Sequence, residues 1–264
     1  MFLLKKNFYI AIGEKILQFI NFFGGVFGLG CQTLVLIPAK PMGVKRVFEQ
    51  AKKIGVDSLP IVLLVSLFIG MIMALQTAYI MQKMSSEIYI ASIVAVSLTR
   101  ELGPVITALI VAGRSGAGIT AELGTMTVTE QVDALVTLGS NPIKYLVVPR
   151  YLSFTLMLPI LTLFANAIGI FGGYLICVYR LSIRSSLYIN MTFQTLVYKD
   201  LFTGLIKTVF FGMIIALVAC YEGLNVKGGA EGVGKATTKS VVNTFIMIIA
   251  ADCFFTALFY FFWA

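Results

Sequence analysis

The sequence predicts an all-α integral membrane protein, because its residues are too apolar and too sparsely charged for a water-soluble domain. Of its 264 residues, 59% are hydrophobic and only 12% are charged, whereas soluble domains average about 25% charged residues. Five apolar segments are each long enough for a helix to cross a hydrocarbon layer about 30 Å thick. They cover residues 61–81, 88–111, 152–178, 201–221 and 241–263. This composition excludes a soluble enzyme and a disordered chain.

The chain is predicted to be a single membrane domain, with an interfacial helix region at residues 1–40 and a five-span core at residues 41–264. Residues 16–37 are long enough to form a sixth span, which is the alternative. Gln18, Gln32 and four glycines interrupt this segment. A sixth span would also move three N-terminal lysines to the outer side, which the distribution of basic residues disfavours.

Basic residues predict the orientation of the five spans. Segments 1–60, 113–150 and 222–240 would share one side of the membrane and hold 14 of the 20 Lys and Arg residues, against four on the other side. Cytoplasmic loops carry an excess of Lys and Arg. The N-terminus is therefore predicted to lie in the cytoplasm and the C-terminus outside.

The segment between the second and third spans, Gly113–Pro149, is predicted to contain a short cytoplasmic helix. Thr127 and Glu130 have the spacing of a capping box, in which each side chain bonds a free amide of the first helical turn. Helical spacing then continues to Gly139, and Asn141-Pro142 ends it. A helix that simply lies on the lipid headgroups is the alternative.

Four charged residues fall within the predicted spans: Arg100 and Glu101 in the second, Lys207 in the fourth and Asp252 in the fifth. A charge at the bilayer centre costs roughly 2.5–3.5 kcal/mol, so it normally faces a partner, a cavity or the protein interior. Pro104 has no amide hydrogen for the carbonyl of Arg100. The sequence predicts a broken helix and a polar pocket here, with purely structural ion pairing as the alternative.

Several kinds of site are not supported by the sequence. It has no histidine, and its four cysteines are scattered without metal-ligand spacing, so we expect buried thiols, no metal, no cofactor and no catalytic residue. Residues 229–236 nearly match a phosphate-binding loop, but Ala236 stands where Ser or Thr would hold magnesium. We expect a tight turn there. The positive net charge of +8 indicates orientation and anionic lipid, not nucleic acid.

The motif Thr99–Pro104 resembles the MlaE/YrbE permease family, the membrane subunits of bacterial ABC systems that move phospholipids and other lipids. The likeness covers about residues 40–260 and rests on long motifs. Further motifs are Ala112–Gly116, Ala121–Met126, Thr129–Gln131, Asn141-Pro142, Pro149-Arg150 and Gly228–Thr238.

The resemblance implies a homodimer in the bacterial inner membrane, each subunit having an interfacial helix and five spans. A separate ATPase is expected on the cytoplasmic face, and a ring of Mce-domain proteins on the periplasmic face. The chain itself would move phospholipid or a related lipid between the membrane and the Mce-domain partner. ATP hydrolysis would belong to the partner chain.

The same resemblance makes the loop helix, residues 127–139, a candidate coupling helix that docks on the ATPase. The residues expected to make this contact are Glu130, Val132, Asp133, Leu135 and Val136.

A lipid pathway is expected at the four intramembrane charges and along the outer half of the first span. Four of the eleven methionines cluster there, and their flexible thioethers suit varied acyl chains. The methionines assigned to the pathway are Met73, Met81 and Met84, beside Met71. Ordinary core filling is the alternative.

Two other functions remain open. An ion or proton pathway could use Arg100, Glu101, Lys207 and Asp252, and would conduct without any ATPase. An intramembrane lipid-modifying enzyme is less well supported, because the chain lacks paired catalytic carboxylates and a nucleophile with an obvious base.

Overall fold

The computed structural model describes residues 2–38 and 43–263, with side chains described for Leu17 and for residues 20–38 and 43–262. Within these ranges the regular structure is helical and there is no strand. The helices are α1 Phe2–Leu36, α2 Val44–Gly55, α3 Leu59–Lys83, α4 Ile90–Ser97, α5 Gly103–Val111, α6 Ala117–Val128, α7 Gln131–Thr137, α8 Val148–Tyr179, α9 Ser185–Thr195, α10 Tyr198–Leu224 and α11 Gly229–Trp263.

Five helical runs in the described chain are long and apolar enough to cross a membrane, which confirms the predicted all-α membrane fold. In order, the first to fifth spans are Val44–Lys83, Glu87–Val128, Ile143–Tyr179, Tyr198–Leu224 and Gly229–Phe262. Four of the predicted apolar segments lie inside one of these runs, and the fifth, 241–263, extends one residue beyond its run. The runs are longer than the segments because polar residues extend the helices beyond the apolar stretch.

The second span corrects the prediction that a loop begins at Gly113. The helix continues to Val128 through two π-helical turns, Leu98–Leu102 and Ala112–Gly116. A π turn lets the backbone hydrogen-bond ladder continue with one extra residue. The helix is therefore not broken beside Pro104, and the connection between the second and third spans is much shorter than predicted.

The predicted capping box is also wrong. Thr127 still belongs to α6, and its hydroxyl donates to the carbonyl oxygen of Leu123 at 2.9 Å instead of capping the next helix. Glu130 adopts a positive φ of 58°, which turns the chain before α7 begins at Gln131. The helix over 127–139 is thus reduced to Gln131–Thr137, and Gly139, with φ 72°, ends it.

The third span is central and packs against the first and fourth spans through close backbone approaches. A Cβ atom on Gly172 would lie 2.3 Å from the carbonyl oxygen of Leu67, and one on Gly70 would lie 1.8 Å from that of Gly169. The glycine motif of residues 169–173 therefore serves packing within the chain. In membranes, small residues stabilise helix contacts by allowing this approach.

The N-terminal helix contacts the fourth span. Phe22 and Val26 form a small buried cluster with Val218, and Ile20–Leu36 is an apolar helix shorter than the five spans. The side chains of Lys5, Lys6 and Lys15, and the predicted boundary between residues 40 and 41, lie outside the part of the chain that the structure describes. The interfacial orientation of this helix stays a prediction.

Two smaller expectations have different outcomes. Cys177 and Cys220 are buried thiols, but Cys31 and Cys253 are exposed, because an apolar helix position can face away from the bundle. The expected turn near residue 229 is present, with φ of 91° at Gly228 and 68° at Gly229. The lysine of the near-miss phosphate motif, Lys235, pairs within the same helix with Glu231 at 2.6 Å.

Candidate functional site

The four intramembrane charges predicted from the sequence come together between the second, fourth and fifth spans. The π turn Leu98–Leu102 presents Arg100 and Glu101, α10 carries Lys207, and α11 carries Asp252. This cluster lies in the half of the bundle that ends at α9. Basic-residue counting predicts that this end faces outward.

Lys207 is the centre of the cluster and is only 1% exposed. Its Nζ lies 2.5 Å from Glu101 Oε2 and 2.9 Å from Asp252 Oδ1, and it donates to Thr256 Oγ1 at 2.8 Å. The contact with Asp252 is an ion pair without hydrogen-bond geometry, so Oδ1 has no directed donor in the described chain. Thr256 in turn donates to Glu101 at 3.2 Å. One buried ammonium group thus joins three spans.

The backbone of Arg100 contributes to the same cluster. Pro104 cannot donate to the carbonyl oxygen of Arg100, and Lys207 Nζ lies 3.4 Å from that oxygen and donates to it. A charged donor thus bonds the carbonyl that the proline leaves without its usual helical partner. This hydrogen bond links the proline to the position of the lysine.

Arg100 pairs with Asp200, a residue that the sequence analysis did not single out. Arg100 Nε lies 2.7 Å from Asp200 Oδ1, and the other carboxylate oxygen accepts from the amide of Val197 at 3.2 Å. Asp200, Thr203 and Lys207 follow i, i+3, i+7 spacing and share one helix face. This spacing, together with the i, i+4 spacing of Asp252 and Thr256, is the sequence pattern from which Asp200, Thr203 and Thr256 could have been predicted.

A cavity of about 310 Å³ opens beside this cluster. Half of the Arg100 side chain and 41% of the Glu101 side chain are exposed to solvent. The wall combines charged and hydroxyl side chains with two aromatic ones. It is lined by Arg100, Glu101, Lys199, Thr203, Lys207, Thr256, Phe259 and Tyr260.

The methionines assigned to the lipid pathway occupy two different environments. Met73 and Met81 pack against the buried cluster around Ala74, Ile90 and Val94. Met84 is exposed at the end of the first span. The contacts of Met73 and Met81 are those of core filling, and the pathway role of all three stays a prediction.

The residues assigned to the ATPase contact lie on and beside α7, with different orientations. Glu130, Asp133 and Val136 are exposed, whereas Val132 and Leu135 pack against the main core of the protein. Leu138, which was not singled out, is also exposed. An accessible apolar edge therefore consists of Val136 and Leu138, next to two acidic side chains.

The comparisons with known proteins place the chain in a family. A family model described as Permease MlaE matches residues 47–258, a region that includes the whole charged cluster. A probable ABC transporter permease protein of Rickettsia bellii is 43% identical over 252 residues, which are 95% of this chain and 96% of that protein. Another of that description, from Synechocystis, is 40% identical over 214 residues, 81% of each chain.

A relative with a more specific name matches over nearly the whole length. The intermembrane phospholipid transport system permease protein MlaE of Haemophilus influenzae is 33% identical over 253 residues, 96% of this chain and 97% of that protein. The multi-pass helical fold agrees with these similarities. The chain therefore belongs to the MlaE family of ABC transporter permeases.

Proposed function

We propose that this permease moves phospholipid through the cavity beside Arg100 and Glu101, with energy from a separate ATPase. The observation that carries the proposal is the composition of the cavity wall, which contains both partly exposed charges and aromatic side chains. Such a wall offers polar contacts to a headgroup and apolar contacts to the start of an acyl chain. The name of the Haemophilus influenzae relative, which specifies intermembrane phospholipid transport, supports this substrate class.

The charges of the site suit a headgroup that contains a phosphate. Arg100 uses its Nε toward Asp200, and the rest of its planar guanidinium can hold two phosphate oxygens at once. Glu101 can accept a hydrogen bond from a headgroup ammonium. The three basic and three acidic side chains of Arg100, Glu101, Lys199, Asp200, Lys207 and Asp252 balance. The pocket therefore favours a zwitterionic or singly charged headgroup over a highly charged anion.

The complete transporter would be a homodimer in the bacterial inner membrane. Its ATPase subunits would bind the cytoplasmic face at α7, and an Mce-domain protein would exchange lipid with the cavity on the periplasmic side. Membership of an ABC permease family supports the first partner, and the name of the Haemophilus influenzae relative supports exchange between membranes.

The test is affinity purification of the chain in mild detergent, with identification of the co-purifying proteins and of bound lipid. We expect an ABC ATPase, an Mce-domain protein and phospholipid. Glu101→Gln should keep both proteins but lower bound phospholipid and reconstituted transport about tenfold, the effect of one lost charge-assisted hydrogen bond. Glu231→Gln, which changes an exposed acid on α11, is the matched control and should change neither.

Two outcomes would contradict the proposal. If the preparation contains no ATPase, or if phospholipid transport does not depend on ATP, the chain is not the permease of such a transporter. If the purified chain alone conducts ions or protons in vesicles, the charged cluster serves an ion pathway instead.

A further inference from the structure

A second polar cavity, of about 200 Å³, lies toward the opposite end of the bundle from α9. It is formed where the junction of α2 and α3 meets the π turn Ala112–Gly116. This motif does not line the cavity beside Arg100 and Glu101, which is called the transport cavity from here on. Its wall contains two basic residues, Lys53 and Arg114, one acid, Asp57, and the small residues Ser115 and Gly118.

Arg114 has free hydrogen-bonding capacity in this cavity. Its Nη1 donates to Ser58 Oγ at 3.1 Å, and that hydroxyl lies 3.0 Å from Ser115 Oγ. The side chain is exposed, and no carboxylate in the described chain lies within 4.0 Å of its guanidinium. A guanidinium with several unused N–H groups is suited to bidentate binding of phosphate oxygens.

The charges around the cavity favour an anion. Glu122 accepts from Lys53 and binds Arg150 Nη2 at 2.6 Å, so one carboxylate is shared by two cations. Asp57 is exposed and has no ion pair in the described ranges. The two basic residues and one acidic residue of the wall give it a formal charge of +1, and the Glu122–Arg150 pair behind it adds no net charge.

The helices that form the cavity place it at a membrane surface. Along α2 and the following turn, the apolar residues Val44, Phe48 and Val56 are exposed, at intervals of four and eight residues. The same helix carries basic residues at 45, 46, 52 and 53, while the continuous apolar run begins only with α3. A basic helix with an exposed apolar stripe lies at the interface between headgroups and acyl chains.

We propose that this cavity binds the phosphate of a membrane phospholipid, from the leaflet opposite to the end at which the transport cavity opens. Arg114 and Lys53 bind the phosphate oxygens, and Asp57 accepts a hydrogen bond from an ammonium or hydroxyl group of the headgroup. The site is separate from the transport cavity and does not depend on the proposed function.

Gly118 offers a way to close this cavity without disturbing its charges. The glycine is exposed, and a Cβ added there would meet no atom within 4 Å. Gly118→Leu should fill the space, whereas Gly118→Ala adds only a methyl group and is the matched control. Arg114→Gln removes the charge, and Arg114→Lys keeps the charge but removes the planar fork. Lys235→Gln, on the surface of α11, controls for the loss of a basic residue.

The experiment uses the full chain in vesicles that contain a phospholipid with a photoreactive group close to its headgroup. Labelled peptides are then identified by mass spectrometry. We expect labelling at residues 44–58 and 112–119 to fall about tenfold in Arg114→Gln and Gly118→Leu, and less in Arg114→Lys. Both controls should match the wild type. Labelling at residues 199–207 and 252–260, which reports the transport cavity, should persist in every variant.

Three results would overturn the proposal. The first is unchanged labelling at residues 44–58 and 112–119 in both Arg114→Gln and Gly118→Leu. The second is suppression of that labelling by millimolar inorganic phosphate, which would identify a site for a free anion. The third is loss of a co-purifying protein in Arg114→Gln with unchanged labelling, which would identify a protein interface. If Gly118→Leu does not fold, Arg114→Gln and Arg114→Lys decide the question.

Discussion

Lys207 Nζ lies 2.5 Å from Glu101 Oε2, although the two residues belong to different spans and are 106 positions apart in the sequence. The same nitrogen lies 2.9 Å from Asp252 Oδ1 on a third span. One ammonium group therefore bridges two carboxylates, and it is almost completely shielded from solvent. Without it, the two carboxylates would face each other inside the bundle without a cation between them.

Lys207→Met should strongly destabilise the protein. Methionine preserves most of the side-chain volume but leaves Glu101 and Asp252 as two like charges without the cation that they share. Removing one partner of a buried ion pair costs about 3–5 kcal/mol of unfolding free energy. Because Glu101 is partly exposed, we expect a loss at the lower end, about 3 kcal/mol. Thermal unfolding of the detergent-solubilised protein measures this loss as a lower Tm.

The double variant Lys207→Met/Asp252→Asn is the control for this explanation. It removes one of the two stranded charges, so it should recover part of the lost Tm. A single variant as stable as the wild type would show that the ion cluster does not hold the spans together.

Arg100→Lys should impair lipid transport more than it impairs stability. The substitution keeps the positive charge near Asp200, but the ammonium cannot bind a carboxylate and a phosphate in the planar arrangement of a guanidinium. Since half of the Arg100 side chain is exposed, the change in unfolding free energy should stay below about 1 kcal/mol. Transport in vesicles that contain the assembled transporter should fall about tenfold.

Asp200→Asn separates the two roles of that carboxylate. Asparagine can still accept from the amide of Val197 at the start of α10, but it no longer neutralises Arg100. We expect a smaller transport defect than in Arg100→Lys, because the guanidinium remains. Wild-type transport in Arg100→Lys would exclude a role for the planar guanidinium group of Arg100.

Gly204→Ala should separate the fourth span from the π turn that carries Arg100. A Cβ at this position would lie 2.3 Å from the carbonyl oxygen of Thr99 and 3.3 Å from Pro104 Cγ. Because the first of these atoms belongs to the backbone, it cannot move aside as a flexible side chain would. Overpacking of this kind costs about 1–3 kcal/mol, and we expect a lower Tm together with a transport defect.

Gly234→Ala is the matched control, since a Cβ there would meet no atom within 4 Å. The position lies inside α11, where alanine is favoured over glycine by about 1 kcal/mol. Tm should therefore stay constant or rise. Equal losses in both variants would mean that the effect of Gly204→Ala is not caused by the contact with Thr99.

The sequence was sufficient to predict the five spans and the joint location of four charges, because both follow from the cost of polar groups in hydrocarbon. Asp200 was missed because it stands in the first turn of its span, where an acidic residue needs no buried partner. Only the packing of the fourth span against the second shows that Arg100 reaches it.

The start of α7 could not be predicted from local pattern. Thr127 and Glu130 have the spacing of a capping box, but the preceding helix continues through Thr127 and uses its hydroxyl for a backbone carbonyl at i−4. The chain instead reverses at Glu130 with a positive φ. Such a conformation is set by the packing of α6 and α7, because a non-glycine residue rarely adopts it on local grounds.

Charge reversal beside α7 should weaken the binding of the ATPase without unfolding the permease. Glu130 and Asp133 are exposed and have no ion pair in the described chain. Glu130→Lys/Asp133→Lys therefore removes no internal ion pair and should change the free energy of unfolding by less than about 1 kcal/mol. Val136→Asp tests the apolar edge separately, since Val136 is exposed whereas Val132 and Leu135 pack inward. Glu231→Lys, which reverses the charge of an exposed acid on α11, controls for a general effect of charge.

We expect ATPase co-purification and ATP-driven transport to fall together in the double variant and in Val136→Asp, and to stay at wild-type levels in Glu231→Lys. If the ATPase co-purifies equally with all three variants, α7 is not its docking site, and a helix that only rests on the headgroups becomes the better explanation.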